Sequence, residues 1–239
     1  MRVLDLFAGI GGFTLGLERA GFETAAFCEI DPYAQKVLAK HWPGVPIYDD
    51  VRTITAGRLA SDGIGVDVIT GGFPCQDISV AGSQAGITDG TRSGLWSECA
   101  RLLGELRPRY AIFENVTNLL NGERGAWFKR VLWDISKVGY DAEWHCIPAS
   151  ELGAHHHRDR VWIVAYPNRS QCQRGRLPFG ISQEHTKPFI ASRWEAEPNV
   201  GRVANGVPSG SHRLKCLGNA VVPQIPEVIG KAIMGASHE

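Results

Sequence analysis

The sequence predicts an α/β protein, built on a Rossmann-like, mostly parallel sheet with helices on both faces. Two observations lead to this fold class. Short β-rich runs alternate with amphipathic stretches over the first two-thirds of the 239 residues, which is typical of consecutive βα units. A glycine-rich turn also follows the first predicted strand, at the position where such sheets bind nucleotide-like ligands.

The predicted elements follow from local periodicity and from helix start signals. Asp31 is a predicted N-cap followed by Pro32 at the first helical position. Helices are predicted at Gly12–Ala20, Pro32–Trp42, Ser93–Leu106, Glu123–Val138 and Pro223–Met234. Strands are predicted at Val3–Phe7, Thr24–Glu29, Val45–Tyr48, Val66–Gly71, Tyr110–Val116, Ala142–Ile147 and Arg160–Ala165.

The regular alternation ends after Tyr166. Residues 167–210 contain five prolines and few apolar runs, which predicts loops, a small irregular lobe or disorder. We therefore expect a catalytic and cofactor-binding domain at 1–165, a small recognition lobe at 166–212, and a segment at 213–239 that packs back on the first domain.

Composition predicts a cytoplasmic protein with an ordinary core. The hydrophobic content is 44%, and no apolar run approaches the roughly 20 residues of a membrane span. The first residues are interrupted by Asp5 too early for a signal peptide. The six cysteines contain no CxxC pair, which argues against a disulfide framework or a zinc site.

Charge is unevenly distributed although 25 basic residues balance 25 acidic ones. Residues 152–216 hold ten Lys and Arg against four Asp and Glu, so this segment carries a formal net charge of +6 and the remainder −6. Such a segment suggests a surface for a polyanion, although a chance fluctuation would look the same.

A cofactor site is predicted after the first strand. Glycines in Asp5–Gly12 let a ligand approach the backbone, but a ligand-free turn would look similar. Glu29 lies about twenty residues further on, where a carboxylate can bind ribose hydroxyls, and Asp50 follows the next short strand. These acids fit an adenosine in NAD or in S-adenosylmethionine, while the unmet GxGxxG pattern makes a pyrophosphate less suitable.

Cys75 is the candidate nucleophile. It follows the strand at Val66–Gly71, on a loop at the carboxyl edge of the sheet. A lone cysteine is more often a buried small hydrophobe, but the position between Pro74 and Gln76 is too polar for a core. We therefore predict a reactive thiolate.

Glu114 ends the next long strand and is expected at the same edge as Cys75. A carboxyl group there can donate to a ring nitrogen of a substrate, although a turn cap or an ion pair would explain it equally well. Arg158 and Arg160 lie two apart on an extended segment, where they would form a two-pronged clamp for a phosphate or a base carbonyl. The adjacent His155–His157 alternate in direction, which argues against a metal site.

Together these segments resemble the motifs of the cytosine-5 DNA methyltransferases, in the family's order. The matching segments are Asp5–Gly12, Glu29–Asp31, Asp50–Val51, Gly72–Gln76, Glu114–Val116, Arg158–Arg160 and Arg213–Pro223. The resemblance implies the class I methyltransferase fold, S-adenosyl-L-methionine as cofactor, S-adenosyl-L-homocysteine as product and double-stranded DNA as substrate.

The resemblance also implies roles for single residues. Cys75 would add to carbon 6 of a flipped cytosine, Glu114 would protonate or hydrogen-bond N3, Arg160 would hold the carbonyl oxygen, and Arg158 would position the base or the Cys75 loop. The implied cofactor residues are Phe7, Gly9, Gly11, Gly12, Glu29, Ile30, Asp50, Val51, Pro74, Asn219 and Val221. The implied DNA contacts are Gln76, Ser79, Ser83, Gln84 and Arg92, on a stretch that would close over the DNA.

The sequence departs from the family at two places. Only about forty residues lie between Tyr166 and Gly206, where the family carries its target recognition domain, so recognition is expected to be short or degenerate. His156 stands where the family usually has Gln, which would make its hydrogen bond sensitive to pH. The small size would fit a prophage or compact restriction-modification enzyme. We expect a monomer without a membrane partner, and a cognate restriction endonuclease is a candidate partner.

Other functions fit part of the sequence. A transfer-RNA cytosine methyltransferase would have the same motifs, and a cofactor- and DNA-binding module without turnover is conceivable with so small a lobe. A nicotinamide oxidoreductase would explain the glycine loop but leaves Cys75 and Glu114 unexplained.

Overall fold

A computed structural model describes residues 1–74, 93–168 and 216–236. Within these ranges seven strands form one sheet in the order β3-β2-β1-β4-β5-β7-β6. The strands are β1 (Arg2–Leu6), β2 (Glu23–Cys28), β3 (Ile47–Tyr48), β4 (Val68–Gly72), β5 (Tyr110–Val116), β6 (Tyr140–Pro148) and β7 (Asp159–Pro167). The pairs among β1 to β5 are parallel, whereas β7 runs antiparallel to both β5 and β6.

The helices lie on both faces of the sheet. They are α1 (Gly12–Arg19), α2 (Pro32–His41), α3 (Ala56–Ser61), α4 (Trp96–Leu106), α5 (Asn118–Lys137) and α6 (Gln224–Ala236). Buried side chains of α4 and α5 form one core cluster with the sheet, and those of α1 and α6 form a second cluster. The predicted Rossmann-like α/β class is confirmed.

Several predicted bounds differ from the observed ones by one to a few residues. The helix predicted from Glu123 is α5, which begins at Asn118 and is interrupted between Gly122 and Gly125 by non-helical backbone angles. Helix α3 was not predicted because it is only six residues long. Its N-cap, Thr55, accepts the backbone N–H of Arg58, which is a local signal present in the sequence.

Helix α6 packs against α1 through glycines. A Cβ atom at Gly16 would overlap the carbonyl oxygen of Pro223, and one at Gly230 would lie 2.8 Å from the Cβ of Ala20. Ile225, Ile229 and Ile233 of α6 are buried in the second cluster. The close approach therefore fixes the final helix beside the start of the chain.

Gly16→Ala is expected to destabilise the fold. Its methyl group would have to displace backbone rather than a flexible side chain, and overpacking of this kind costs about 1–3 kcal/mol of unfolding free energy. Gly57→Ala is the matched control, because this exposed glycine of α3 has only the hydroxyl of Thr55 near the added atom. Alanine there should leave stability unchanged or raise it. Urea unfolding of both variants measures the difference, and equal midpoints would refute the packing explanation.

Candidate active site

The loop between β1 and α1 (residues 7–11, called the β1 loop) is held in an unusual backbone conformation. Phe7, Gly9 and Gly11 have φ angles of 53°, 55° and 86°. Glycine adopts such angles freely, but a bulky residue such as Phe7 does so at a cost of order 1–3 kcal/mol. The loop is thus strained at the position predicted to meet a ligand.

Glu29 holds this loop from the end of β2. One carboxylate oxygen accepts the backbone N–H of Gly9 at 2.7 Å, and the other accepts that of Asp31 at 2.7 Å. The side chain of the neighbouring Ile30 is 70% exposed. A carboxylate with unused lone pairs beside an exposed apolar side chain suits the ribose and the flat base of an adenosine.

Asp50 and Val51 follow β3. Asp50 caps a short 3-10 turn (Val51–Thr53) and pairs with Arg52 at 2.6 Å, and these hydrogen bonds hold the pKa of the carboxyl below its usual range. The Val51 side chain is buried in the core, and its carbonyl accepts a hydrogen bond from Arg101 of α4. The structure therefore leaves Asp50 accessible at this edge and makes Val51 part of the packing beneath it.

Close packing leaves no room for a side chain at Gly11 or at Gly12. A Cβ atom at Gly11 would lie 2.5 Å from the ring of Trp42, and one at Gly12 would overlap the carbonyl oxygen of Val221. Gly12 therefore brings Val221 of the C-terminal segment beside the β1 loop. Asn219, two residues earlier, is exposed.

The segment that leads to Cys75 is anchored at Phe73. Phe73 is buried, and its ring centroid lies 5.1 Å from that of Trp96. The ring centroid of Trp96 in turn lies 5.1 Å from that of Phe113. The side-chain amide of Asn115 donates to the Phe73 carbonyl at 3.0 Å. Pro74 is half-buried, whereas Cys75, Gln76, Ser79, Ser83, Gln84 and Arg92 lie outside the described residues.

Glu114 is a buried carboxyl group at this end of the sheet. It is 8% exposed and forms an ion pair with Arg160, with 2.9 Å between Oε1 and Nε. Burial raises the pKa of Glu114, and the charges of Arg160 and Arg158 oppose this rise. The ion pair considered from the sequence is therefore present, and Glu114 keeps its proton to a higher pH than an exposed carboxyl group.

The sheet register brings Glu114 to the segment before Cys75. Gly72 pairs with Glu114 across β4 and β5, and a Cβ atom at Gly72 would lie 3.3 Å from Oε2 of Glu114. Gly72 lies three residues before Cys75, the predicted nucleophile, so the carboxyl group of Glu114 lies beside the segment that leads to Cys75 in the sequence.

Arg158 contacts the C-terminal segment. Its Nη1 donates to the carbonyl oxygen of Gly218 at 2.7 Å, across sixty positions of sequence. A cavity of about 500 Å³ lies beside this contact, lined by His156, His157, Arg158, Leu217 and Ala220–Gln224. The three histidines are exposed, and no cluster able to hold a metal ion is found in the described ranges.

The sequence analysis did not identify two residues, Asn115 and Asp5, that hold neighbouring segments of the site in place by hydrogen bonds. Asn115 fixes the Phe73 carbonyl, and its amide oxygen also accepts the Val116 N–H. Asp5, which had been noted only as part of the glycine loop, is fully buried and accepts hydrogen bonds from Thr14 and Thr70. The polar character of Asp5 and Asn115 within apolar strands was the available signal.

Comparison with known families agrees with this arrangement. The family model of the C-5 cytosine-specific DNA methylases matches residues 1–206. The chain belongs to this family. The match includes the β1 loop, Glu114 and the arginine pair, so the family predicted from the motifs is confirmed.

Curated relatives in this family are longer than the chain. The Type II methyltransferase M2.BsuMI of Bacillus subtilis is 40% identical over 204 residues, which cover 84% of this chain and 48% of the relative. M.FnuDI of Fusobacterium nucleatum is 32% identical, with 84% and 57% covered. The chain thus spans about half the length of these relatives.

Solved structures share the fold of the chain. A candidate DNA modification methyltransferase encoded within an E. coli prophage is 29% identical with a TM-score of 0.60, over 70% of this chain and 47% of that one. A DNMT2 mutant from Spodoptera frugiperda, 19% identical with a TM-score of 0.58 over 73% and 52%, shares the fold alone. None of the helices in the described part of the chain is long and apolar enough to cross a membrane.

Proposed function

We propose that this methylase transfers a methyl group from S-adenosyl-L-methionine to carbon 5 of a flipped cytosine in double-stranded DNA. The observation that carries the proposal is the buried Glu114–Arg160 pair, in register with the segment that ends at Cys75. A carboxyl group whose pKa is raised by burial and an adjacent guanidinium suit the N3 and O2 edge of a cytosine.

The β1 loop and the ends of β2 and β3 fit the methyl donor. Glu29 is a carboxylate acceptor for ribose hydroxyls, Ile30 presents an exposed apolar side chain for a flat base, and the strained loop at Phe7 exposes backbone to a ligand. When bound, S-adenosyl-L-methionine supplies an electrophilic methyl group on a sulfonium and becomes S-adenosyl-L-homocysteine.

The proposed reaction begins with the Cys75 thiolate. It adds to carbon 6 of cytosine and forms a carbon–sulfur bond, which turns carbon 5 into an enamine-like nucleophile. Glu114 gives its proton to N3, or hydrogen-bonds it, and so neutralises the charge that the attack pushes into the ring. Carbon 5 then takes the methyl group, a base removes its proton, and the electron pair expels Cys75.

The cytosine must leave the base stack to reach Glu114. Rotation out of the duplex costs a few kcal/mol, which phosphate contacts have to offset. The segment of net charge +6 supplies candidate contacts, although most of it lies outside the described residues. We propose a monomer, with a cognate restriction endonuclease as a candidate partner in the cell.

Methyl transfer from labelled cofactor tests the proposal. The protein should label duplex DNA, and digestion of that DNA should release 5-methylcytosine rather than N4-methylcytosine. Transfer RNA in a parallel reaction is the comparison substrate. Labelling of transfer RNA but not DNA would contradict the proposed substrate, and labelling of neither would contradict enzymatic turnover.

A further inference from the structure

Helix α5, which follows the strand that carries Glu114, is interrupted by a strained turn at residues 122–125 (the α5 turn). Glu123, Arg124 and Gly125 have φ angles of 46°, 56° and 84°. Glycine adopts such angles freely, but two consecutive residues with side chains do so only at a cost in free energy. The α5 turn is therefore strained at two positions where glycine would have avoided the strain.

The fold explains the first glycine of the α5 turn but not its two charged residues. A Cβ atom at Gly122 would overlap the ring of Trp127, so the backbone there lies directly on a buried indole. The side chains of Glu123 and Arg124 are exposed, and neither has a hydrogen bond or an ion pair with another residue in the described part of the chain. Strain at positions whose side chains form no such bond within the fold indicates a contact outside it.

A second cost falls beside the same turn. The indole Nε1 of Trp127 is buried, and it has no hydrogen-bond acceptor within the described ranges. Buried N–H groups are rarely left without a partner in native proteins. An oxygen brought by a ligand would satisfy this donor, and an anionic oxygen would also bind the Arg124 guanidinium. The turn therefore offers donors to an anion that the described fold does not supply.

The α5 turn lies close to the edge of the sheet where the cytosine is proposed to bind. Only Thr117 and the single helical turn at residues 118–121, which rises about 6 Å, separate it from the end of β5. A cytosine that rotates out of the duplex stays attached to the phosphates on its two sides. With its base at Glu114, these phosphates would lie at the rim of this edge, within reach of a long side chain on the turn.

We propose that the α5 turn is a DNA-backbone contact beside the flipped cytosine, in which Arg124 binds a phosphate of the target strand. This inference rests on the proposed function. A phosphate contact positions the strand without reading its sequence, which suits a chain with a small recognition lobe. Glu123 carries the opposite charge and would repel the same phosphate. Adjacent residues of the turn should therefore change DNA binding in opposite directions.

Fluorescence anisotropy of a labelled duplex that the wild-type protein methylates tests this contact over a range of salt concentrations. Arg124→Gln should weaken binding by on the order of five-fold and make the dependence of log affinity on log salt shallower by about 1. Glu123→Gln should strengthen binding by roughly two-fold. Lys137→Gln is the matched control, since it removes one exposed positive charge at the other end of the same helix and should leave binding unchanged.

Kinetics and stability separate this contact from a structural role. Arg124→Gln should raise the KM for DNA and keep the turnover number at saturating DNA, because a phosphate contact is made equally in the ground and transition states. Its thermal midpoint should equal that of the wild type. A lower midpoint together with unchanged DNA affinity is the result that a purely structural role predicts, and it would overturn the inference.

Equal affinity and equal salt dependence in Arg124→Gln and the wild type would also overturn it. So would equal losses in Arg124→Gln and Lys137→Gln, which would reflect net charge alone. If Arg124→Gln does not fold, Glu123→Gln decides, and unchanged or weaker DNA binding by that variant contradicts the inference. Failure of the wild type to bind or methylate duplex DNA would instead refute the proposed function, and this inference with it.

Discussion

Cys75→Ser is expected to abolish both methyl transfer and the covalent complex with DNA. A serine hydroxyl at neutral pH is a far weaker nucleophile than a thiolate, so carbon 6 is not attacked and carbon 5 is never activated. The adduct can be trapped on duplex DNA containing 5-fluorocytosine, because fluorine replaces the proton that must leave. Wild-type protein should shift to a slower band in a denaturing gel, and Cys75→Ser should not.

Cys146→Ser provides the control for this trap. Cys146 is an exposed cysteine on β6 and plays no part in the proposed chemistry. It should form as much adduct as the wild type. An adduct that persists in Cys75→Ser but disappears in Cys146→Ser would show that Cys146, and not Cys75, is the nucleophile.

Glu114→Gln is expected to lower the turnover number by about 10²–10⁴, the contribution of a positioned general acid. The amide can hydrogen-bond N3 but has no proton to give. Because burial raises the pKa of Glu114, wild-type activity should fall as pH rises through that pKa, and the variant should lack this decline. Single-turnover rates measured from pH 5 to pH 9 report both effects.

Two further variants separate chemistry from packing at Glu114. Glu143→Gln removes a carboxylate that accepts the Tyr166 hydroxyl on neighbouring strands, and it should retain wild-type rates. Arg160→Ala removes a charge that lowers the pKa of Glu114, so the activity of that variant should persist to higher pH than the wild type, at a lower rate. A pH profile of Glu114→Gln identical to the wild type would show that another group supplies the proton.

Local sequence patterns were sufficient for the parallel part of the fold. Strands such as β5 were predicted at their observed bounds, because the apolar run at residues 110–113 opens a strand that is buried on both faces. The reversal of β7 between β5 and β6 was not predicted, since strand order depends on contacts between distant segments.

Those parts of the candidate site that depend on a single residue at a strand end could be predicted from the sequence. Glu29 and Glu114 could be located because strand ends meet at one edge of a parallel sheet. The contact from Arg158 to Gly218 spans sixty residues, and the bonds of Asp5 to Thr14 and Thr70 join three elements, so neither follows from local sequence. Such links depend on the packed core rather than on periodicity.

Bisulfite sequencing of DNA from cells that express the protein tests the central claim most directly. Wild-type protein should protect cytosines within a short or degenerate sequence context, and cells expressing Cys75→Ser at equal levels should show background conversion. Complete conversion with well-expressed wild-type protein, or equal protection in both cultures, would contradict carbon-5 methylation of DNA through Cys75.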